Sequence, residues 1–143
     1  MKLFLRMMMP ALGLALLAGF SPASQAGAED AFGTWKDSAK GSVVRVYACG
    51  GGLCAQIVKT SDAGAKDVNN SNPALQKRPI AGLVIMSGAK KSGDNAWKGS
   101  IYNREDGQRY SGSLTVVSKN QLELQGCGLG GLVCTSRTWS RMN

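Results

Sequence analysis

The chain has 143 residues, with 17 Lys and Arg against 9 Asp and Glu and no histidine. That length suits one domain, and the missing histidine removes the commonest general base and a favoured zinc ligand. The basic residues are scattered in runs of no more than two, which argues against a nucleic-acid partner, since such proteins carry a clustered basic stripe.

The first 26 residues do not read as part of the domain. Lys2 and Arg6 open the chain. Met7 to Phe20 is apolar apart from Pro10, Gly13 and Gly19, and Ser24 and Ala26 supply small residues before Gly27. A positive start, an apolar core and a small-residue end make a secretory signal peptide. The apolar core is short of the ~20 residues of a membrane span. Cleavage after Ala26 or after Ala28 fits, and no Cys sits at the boundary for lipid attachment. The expected organisation is a signal peptide over 1–26 and a domain over 27–143. The expected location is periplasmic or secreted, with no membrane span left after cleavage.

Phe32-Gly-Thr-Trp35-Lys36 reads as a first strand, and the β-branched, aromatic run Ser42–Ala48 as a second. Gly50, Gly51 and Gly52 turn the chain into a third strand over Leu53–Lys59. Thr60 to Pro79 lacks periodicity, and a loop of about 20 residues is unusual in a small domain. Asn72 followed by Pro73 predicts one helical turn inside it. Asp62, Asp67, Asn69 and Asn70 lack the ordered spacing of a calcium loop and read as solvated loop residues. The apolar run Ile80–Met86 predicts a buried fourth strand, and Ser87–Asn95 a polar turn.

Ala96–Tyr102 and Gln108–Val117 flank Asn103–Gly107, whose Asp106-Gly107 step permits the positive φ of a tight hairpin. Glu105 and Asp106 read as turn chemistry. Ser118–Asn120 turns again into Gln121–Gln125, which alternates with Leu122 and Leu124 inward. An eighth strand covers Leu132–Ser140. Eight short sequential strands predict an all-β, up-and-down antiparallel barrel, with an open two-sheet sandwich as the alternative. Val44, Val46, Ile57, Leu83 and Ile85 would line its interior, with Leu114, Val116, Leu122 and Leu124.

Four cysteines in an exported chain imply two disulfides. They form two local pairs, each flanking a Gly-rich reversal. Of three connectivities, Cys49–Cys54 with Cys127–Cys134 is favoured, and pairing of one loop to the other stays open. Neither pair has the spacing of a redox motif.

Gly33-Thr34-Trp35 on the first strand, eight strands and Arg137 near Trp139 on the last resemble the lipocalin plan. That resemblance implies that Trp35 closes the barrel floor and that Arg137 covers its ring, with Trp139 beside it. A wider set of motifs covers nearly all of the chain after residue 26. They are Gly33-Thr-Trp35, the two Cys loops, Asn72-Pro73, Trp97-x-Gly99-x-Ile-Tyr-Asn103, Glu105-Asp-Gly107, Tyr110-x-Gly112 and Trp139-x-Arg141. Together they resemble a family of small exported bacterial proteins catalogued as domain of unknown function 2147. The family pattern has Pro where this chain has Arg104. The resemblance implies an exported β-rich protein and brings no activity with it.

These residues support an exported, noncatalytic envelope protein that holds a small amphipathic or apolar ligand in its barrel. A structural or protein-interaction module of the envelope is the alternative, and an enzyme is the weakest reading. No cofactor is expected. Tyr47, Tyr102, Arg104, Arg109 and Tyr110 are the candidate ligand-binding residues at the pocket mouth.

Overall fold

The computed structural model describes Gly19 and residues 26–143. The expected leader over 1–26 therefore lies outside the described residues, apart from Gly19 and Ala26. The rest is a closed antiparallel barrel of eight strands in sequential order. The strands are β1 (Gly33–Asp37), β2 (Val43–Cys49), β3 (Gly52–Lys59), β4 (Val84–Gly93), β5 (Ala96–Asn103), β6 (Gln108–Ser118), β7 (Gln121–Gly128) and β8 (Val133–Arg141). β8 returns to β1, with Trp35 opposite Arg141 and Asp37 opposite Trp139. Closure leaves no edge strand to template aggregation. Among the described residues, helical structure is confined to three single 3-10 turns, one of them over Pro73–Leu75 with the Asn72 side chain capping Ala74 N. Every strand and both disulfides among the described residues lie after Gly27, and the strands enclose one core.

Sequential pairing puts the β1–β2, β3–β4, β5–β6 and β7–β8 connections at one end, the mouth. The other three turns, with both termini of the barrel, lie at the base. Gly50 and Gly51 turn β2 into β3 with φ of 54° and 76°, the two positive values that a two-residue hairpin of matching twist requires.

β4 departs from the sequence expectation. The apolar run from Ile80 does not start the strand. Gly82 takes a φ of 95° and Leu83 N donates to Ile80 O, so Ile80–Leu83 is a turn. The strand instead continues through Ser87–Gly93, within the stretch Ser87–Asn95 expected as a polar turn. Its register shifts between Met86 and Lys90, with Gly88 at φ 66°, the mark of a bulge. Polar residues belong there because the outer face of a barrel wall meets water, while Ala89 points inward and is fully buried.

The base half is filled. Trp35, Val46, Leu53, Leu114, Val116 and Leu122 are each no more than 2% exposed. At the base, the Trp35 ring donates through Nε1 to Ala31 O at 2.8 Å. Arg141 covers its face, with the guanidinium carbon 4.2 Å from the ring centroid. The expectation that Arg137 does this is corrected. Arg137 is on the same strand face but four residues earlier, about 13 Å nearer the mouth. Trp139 is likewise higher, opposite Asp37.

The 60–83 loop is not solvated throughout. Asp67 is fully buried and Asn70 is 7% exposed. Asp67 accepts from Tyr102 Oη at 2.6 Å, Asn70 Nδ2 at 2.9 Å and Arg78 Nε at 2.8 Å. Burial alone would raise its carboxyl, but these donors and the Arg78 charge outweigh that and hold it below the usual range. Asn69 Nδ2 donates to the carbonyls of Arg104 and Glu105, which fixes the loop to the β5–β6 turn.

Candidate functional site

The mouth half of the barrel is hollow, with a cavity of about 520 Å³. Its walls are apolar: Val44, Ile57, Ile85, Ile101 and Leu124, with Trp139 at the floor. The space arises from side chains that are missing. Gly99, Gly112 and Gly126 pair in a row across β5, β6 and β7, and Gly126 and Gly128 face the cavity. A Cβ on Gly126 would come no closer than 3.7 Å to Ile101, whereas one on Gly112 would fall 2.9 Å from it. The row therefore both lets Ile101 lie against the wall and leaves room beyond it.

A chain of ion pairs crosses the mouth. Lys40 Nζ lies 2.5 Å from Glu105 Oε1. Arg137 Nη2 donates to Glu105 Oε2 at 3.2 Å, and Arg137 Nη1 is 3.8 Å from Asp37 Oδ2. Asp37 also accepts from Trp139 Nε1 at 3.3 Å and from the amides of Ala39 and Lys40. Asp37 is thus saturated, a turn residue that also orients the cavity floor. The Lys40 hydrogen bond holds Glu105 below the ordinary carboxylate range; partial burial opposes this and the Arg137 charge adds to it.

Arg137 is different. A guanidinium has five N–H donors, and its one hydrogen bond among the described residues goes to Glu105. Its side chain lines the cavity and is 25% exposed. Glu105 sits on a turn and is 45% exposed, so this contact is worth at most about 1 kcal/mol and another anion can replace it.

Of the five residues expected at the mouth, Tyr102, Arg104 and Tyr110 border the cavity. The Tyr102 hydroxyl is committed to Asp67, and the Tyr110 hydroxyl donates to Asp106. Tyr47 and Arg109 do not border it. Tyr47 alternates with inward Val44 and Val46 on β2, and Arg45 stacks on its ring at 4.4 Å on the outer wall. Arg109 is exposed and lies 5.7 Å from the Tyr102 ring. Sequence reasoning missed Lys40, Asp37 and the mouth role of Arg137, since nothing local marks residues of the β1–β2 hairpin and of β8 as neighbours.

The cysteine pairs are Cys49–Cys54 at the base and Cys127–Cys134 at the mouth. Among the described residues, no cluster of His, Cys, Asp or Glu is arranged to hold a metal ion, and no helix is long and apolar enough to cross a membrane.

Comparison with known proteins places this geometry. The chain resembles a solved structure described as "Protein HP1028 from the human pathogen Helicobacter pylori belongs to the lipocalin family", at 28% identity and a TM-score of 0.68. The match covers 78% of this chain and 82% of that one. No curated protein matches. Residues 33–141 match the model of a family described as uncharacterized proteins conserved in bacteria, DUF2147. With that match spanning every strand, the chain belongs to the DUF2147 family and has a lipocalin-like barrel.

Proposed function

We propose that this protein is an exported, noncatalytic carrier that holds one amphipathic molecule with an acidic head group. The tail lies among Val44, Ile57, Ile85, Ile101 and Leu124, and the head meets Arg137 at the mouth. One observation carries the reading. An apolar cavity of about 520 Å³, inside the ~300–1,000 Å³ range of small-molecule sites, has a guanidinium at its rim with donors to spare. Arg is suited to this because its planar fork bonds a carboxylate or phosphate through two parallel N–H groups. The cavity is also continuous with a base that is closed by packed side chains, so a ligand enters and leaves at one end.

Two disulfides and the N-terminal leader pattern support export. The noncatalytic reading is supported by the lack of histidine in the sequence and by the mouth carboxylates being engaged in ion pairs. Native mass spectrometry of protein recovered from the periplasm should retain a bound amphiphile. Titration with a fluorescent long-chain fatty acid should saturate at one molecule per barrel. A matched alcohol, which lacks the charge, should bind about tenfold or more weakly. Equal affinity for acid and alcohol overturns the head-group assignment, and no binding of either overturns the carrier reading.

A further inference from the structure

The tip of the β7–β8 connection is the most exposed apolar feature among the described residues. Leu129 is 77% exposed, Leu132 is 86% and Val133 is 55%. No charged residue lies between Glu123 and Arg137. The tip is held firmly: Cys127–Cys134 closes it and β7 and β8 pair up to Gly128 and Val133. It is also strained, because Leu129 takes a φ of 51° beside Gly130 at 66° and Gly131 at 90°. A bulky residue in that region is a genuine outlier. Glycine would fit there without strain, yet the chain places a large apolar side chain outward.

We infer that this tip is a membrane-docking element that seats the barrel, mouth first, on a bilayer containing anionic lipid. Three considerations select that occupant. The tip is too small for a stable protein partner, which needs about 800 Å² from each side. A bilayer interface needs no complementary surface and accepts a few aliphatic side chains inserted to roughly 5–10 Å. Second, Lys66, Lys77 and Arg104 lie in connections at the same end and take part in no ion pair among the described residues. Basic residues at that height favour anionic headgroups. Third, Leu129 and Val133 also border the cavity, so a seated tip puts the opening against the lipid. The inference draws on the carrier reading for its purpose alone, and its test does not depend on a ligand.

Leu132 is the residue to change, since it is exposed and does not border the cavity. Protein recovered from the periplasm is mixed with vesicles of phosphatidylethanolamine and phosphatidylglycerol and floated on a density gradient. The wild-type barrel should float with the vesicles, and Leu132→Asp should lower the bound fraction at limiting lipid by about tenfold or more. Phosphatidylcholine vesicles should bind more weakly than the anionic ones. Leu132→Asp should keep the wild-type far-ultraviolet circular dichroism and fatty-acid affinity. Failure of the wild type to float overturns the inference while leaving the carrier reading intact. Leu132→Asp floating as well as wild type also overturns it, and points to simple charge adsorption by the lysines. Concentration-dependent dimerisation without lipid, abolished by Leu132→Asp, overturns it in favour of a second copy.

Discussion

The Arg141 guanidinium lies 4.2 Å from the centroid of the Trp35 ring, and Arg141 stands opposite Trp35 in the β1–β8 register. The same guanidinium bonds the carbonyl of Phe32 at 3.1 Å and those of Asp30 and Lys119. It therefore ties the N-terminal turn, the β6–β7 turn and β8 to the base. Arg141→Ala should cost about 2–4 kcal/mol, from a desolvated cation–π contact and several charged hydrogen bonds. Arg137→Ala should cost under about 1 kcal/mol, because its hydrogen-bonded partner Glu105 is 45% exposed and Asp37 keeps its bonds from Trp139, Ala39 and Lys40. Urea unfolding separates the two. Fatty-acid titration should invert the order, with Arg137→Ala binding about tenfold or more weakly and Arg141→Ala unchanged.

That contrast shows where sequence reasoning stops. Seven of the eight strands were legible from alternation, from β-branched or aromatic residues, or from both, between turn residues. β4 was legible only over Val84–Met86, because a bulge at Ser87-Gly88 breaks its period and its outer face is polar. That β8 supplies an arginine for Trp35 was readable, but not which one. Arg137 and Arg141 share a face, and register alone decides between them. Parity would have removed Tyr47, since it is one step from inward Val46. The Lys40–Glu105–Arg137–Asp37 chain joins the β1–β2 hairpin, the β5–β6 turn and β8, which are far apart in sequence. No local pattern encodes it, and Glu105 read as turn chemistry is incomplete.

Gly126→Leu should fill the cavity and leave the barrel intact. A Cβ there meets ordinary contact distances of 3.7 Å to Ile101 and 3.8 Å to Tyr110, and the rest of the side chain points into open space. Fatty-acid binding should fall by at least about tenfold, while the unfolding midpoint moves by less than about 1.5 kcal/mol. Retained affinity would mean that the ligand does not enter the hollow half.

Gly107→Ala should be severe. Gly107 has a φ of 71°, and an added Cβ would fall 1.9 Å from Asn69 O. Neither backbone can yield cheaply, since Asn69 also holds the carbonyls of Arg104 and Glu105. A loss of about 2 kcal/mol or more is expected from strain and overpacking. Hydrogen exchange should show the 60–83 loop opening first, because that loop and the β5–β6 turn are what the clash separates.

The leader should be removed after Ala26 and not after Ala28. Ala28 is fully buried. Its N–H donates to Asp94 O at 2.8 Å and its carbonyl accepts from Trp97 Nε1 at 2.8 Å. Cleavage after Ala28 would leave the buried Trp97 N–H without a partner, a loss of about 1–3 kcal/mol. Cleavage after Ala26 keeps both bonds and sets the new amino group beside Asp30 Oδ2, which already accepts from Gly27 N at 2.8 Å. Intact-mass measurement of the exported protein should therefore begin at Gly27; a mass beginning at Glu29 would refute this.

Stability should fall at both ends of the pH scale through one buried pair. Asp67 is held below its ordinary 3.8, so the unfolded chain takes up a proton there before the folded barrel does. Its contribution is complete above the unfolded value and is lost as pH falls through the lower, folded one. Tyr102 is pushed above its ordinary 10.0, first by burial and then by the Asp67 carboxylate. Its contribution is present below the unfolded value and is lost as pH rises through the folded one. Asp67→Asn should cost about 2–3 kcal/mol near neutrality, since a charge-assisted cluster loses its acceptor. It should also flatten the acid limb, leaving the slope that Glu105 and Glu29 supply. Urea midpoints at about pH 7, pH 5 and pH 3 measure both effects. An acid slope as steep in Asp67→Asn as in wild type would place the protonation elsewhere.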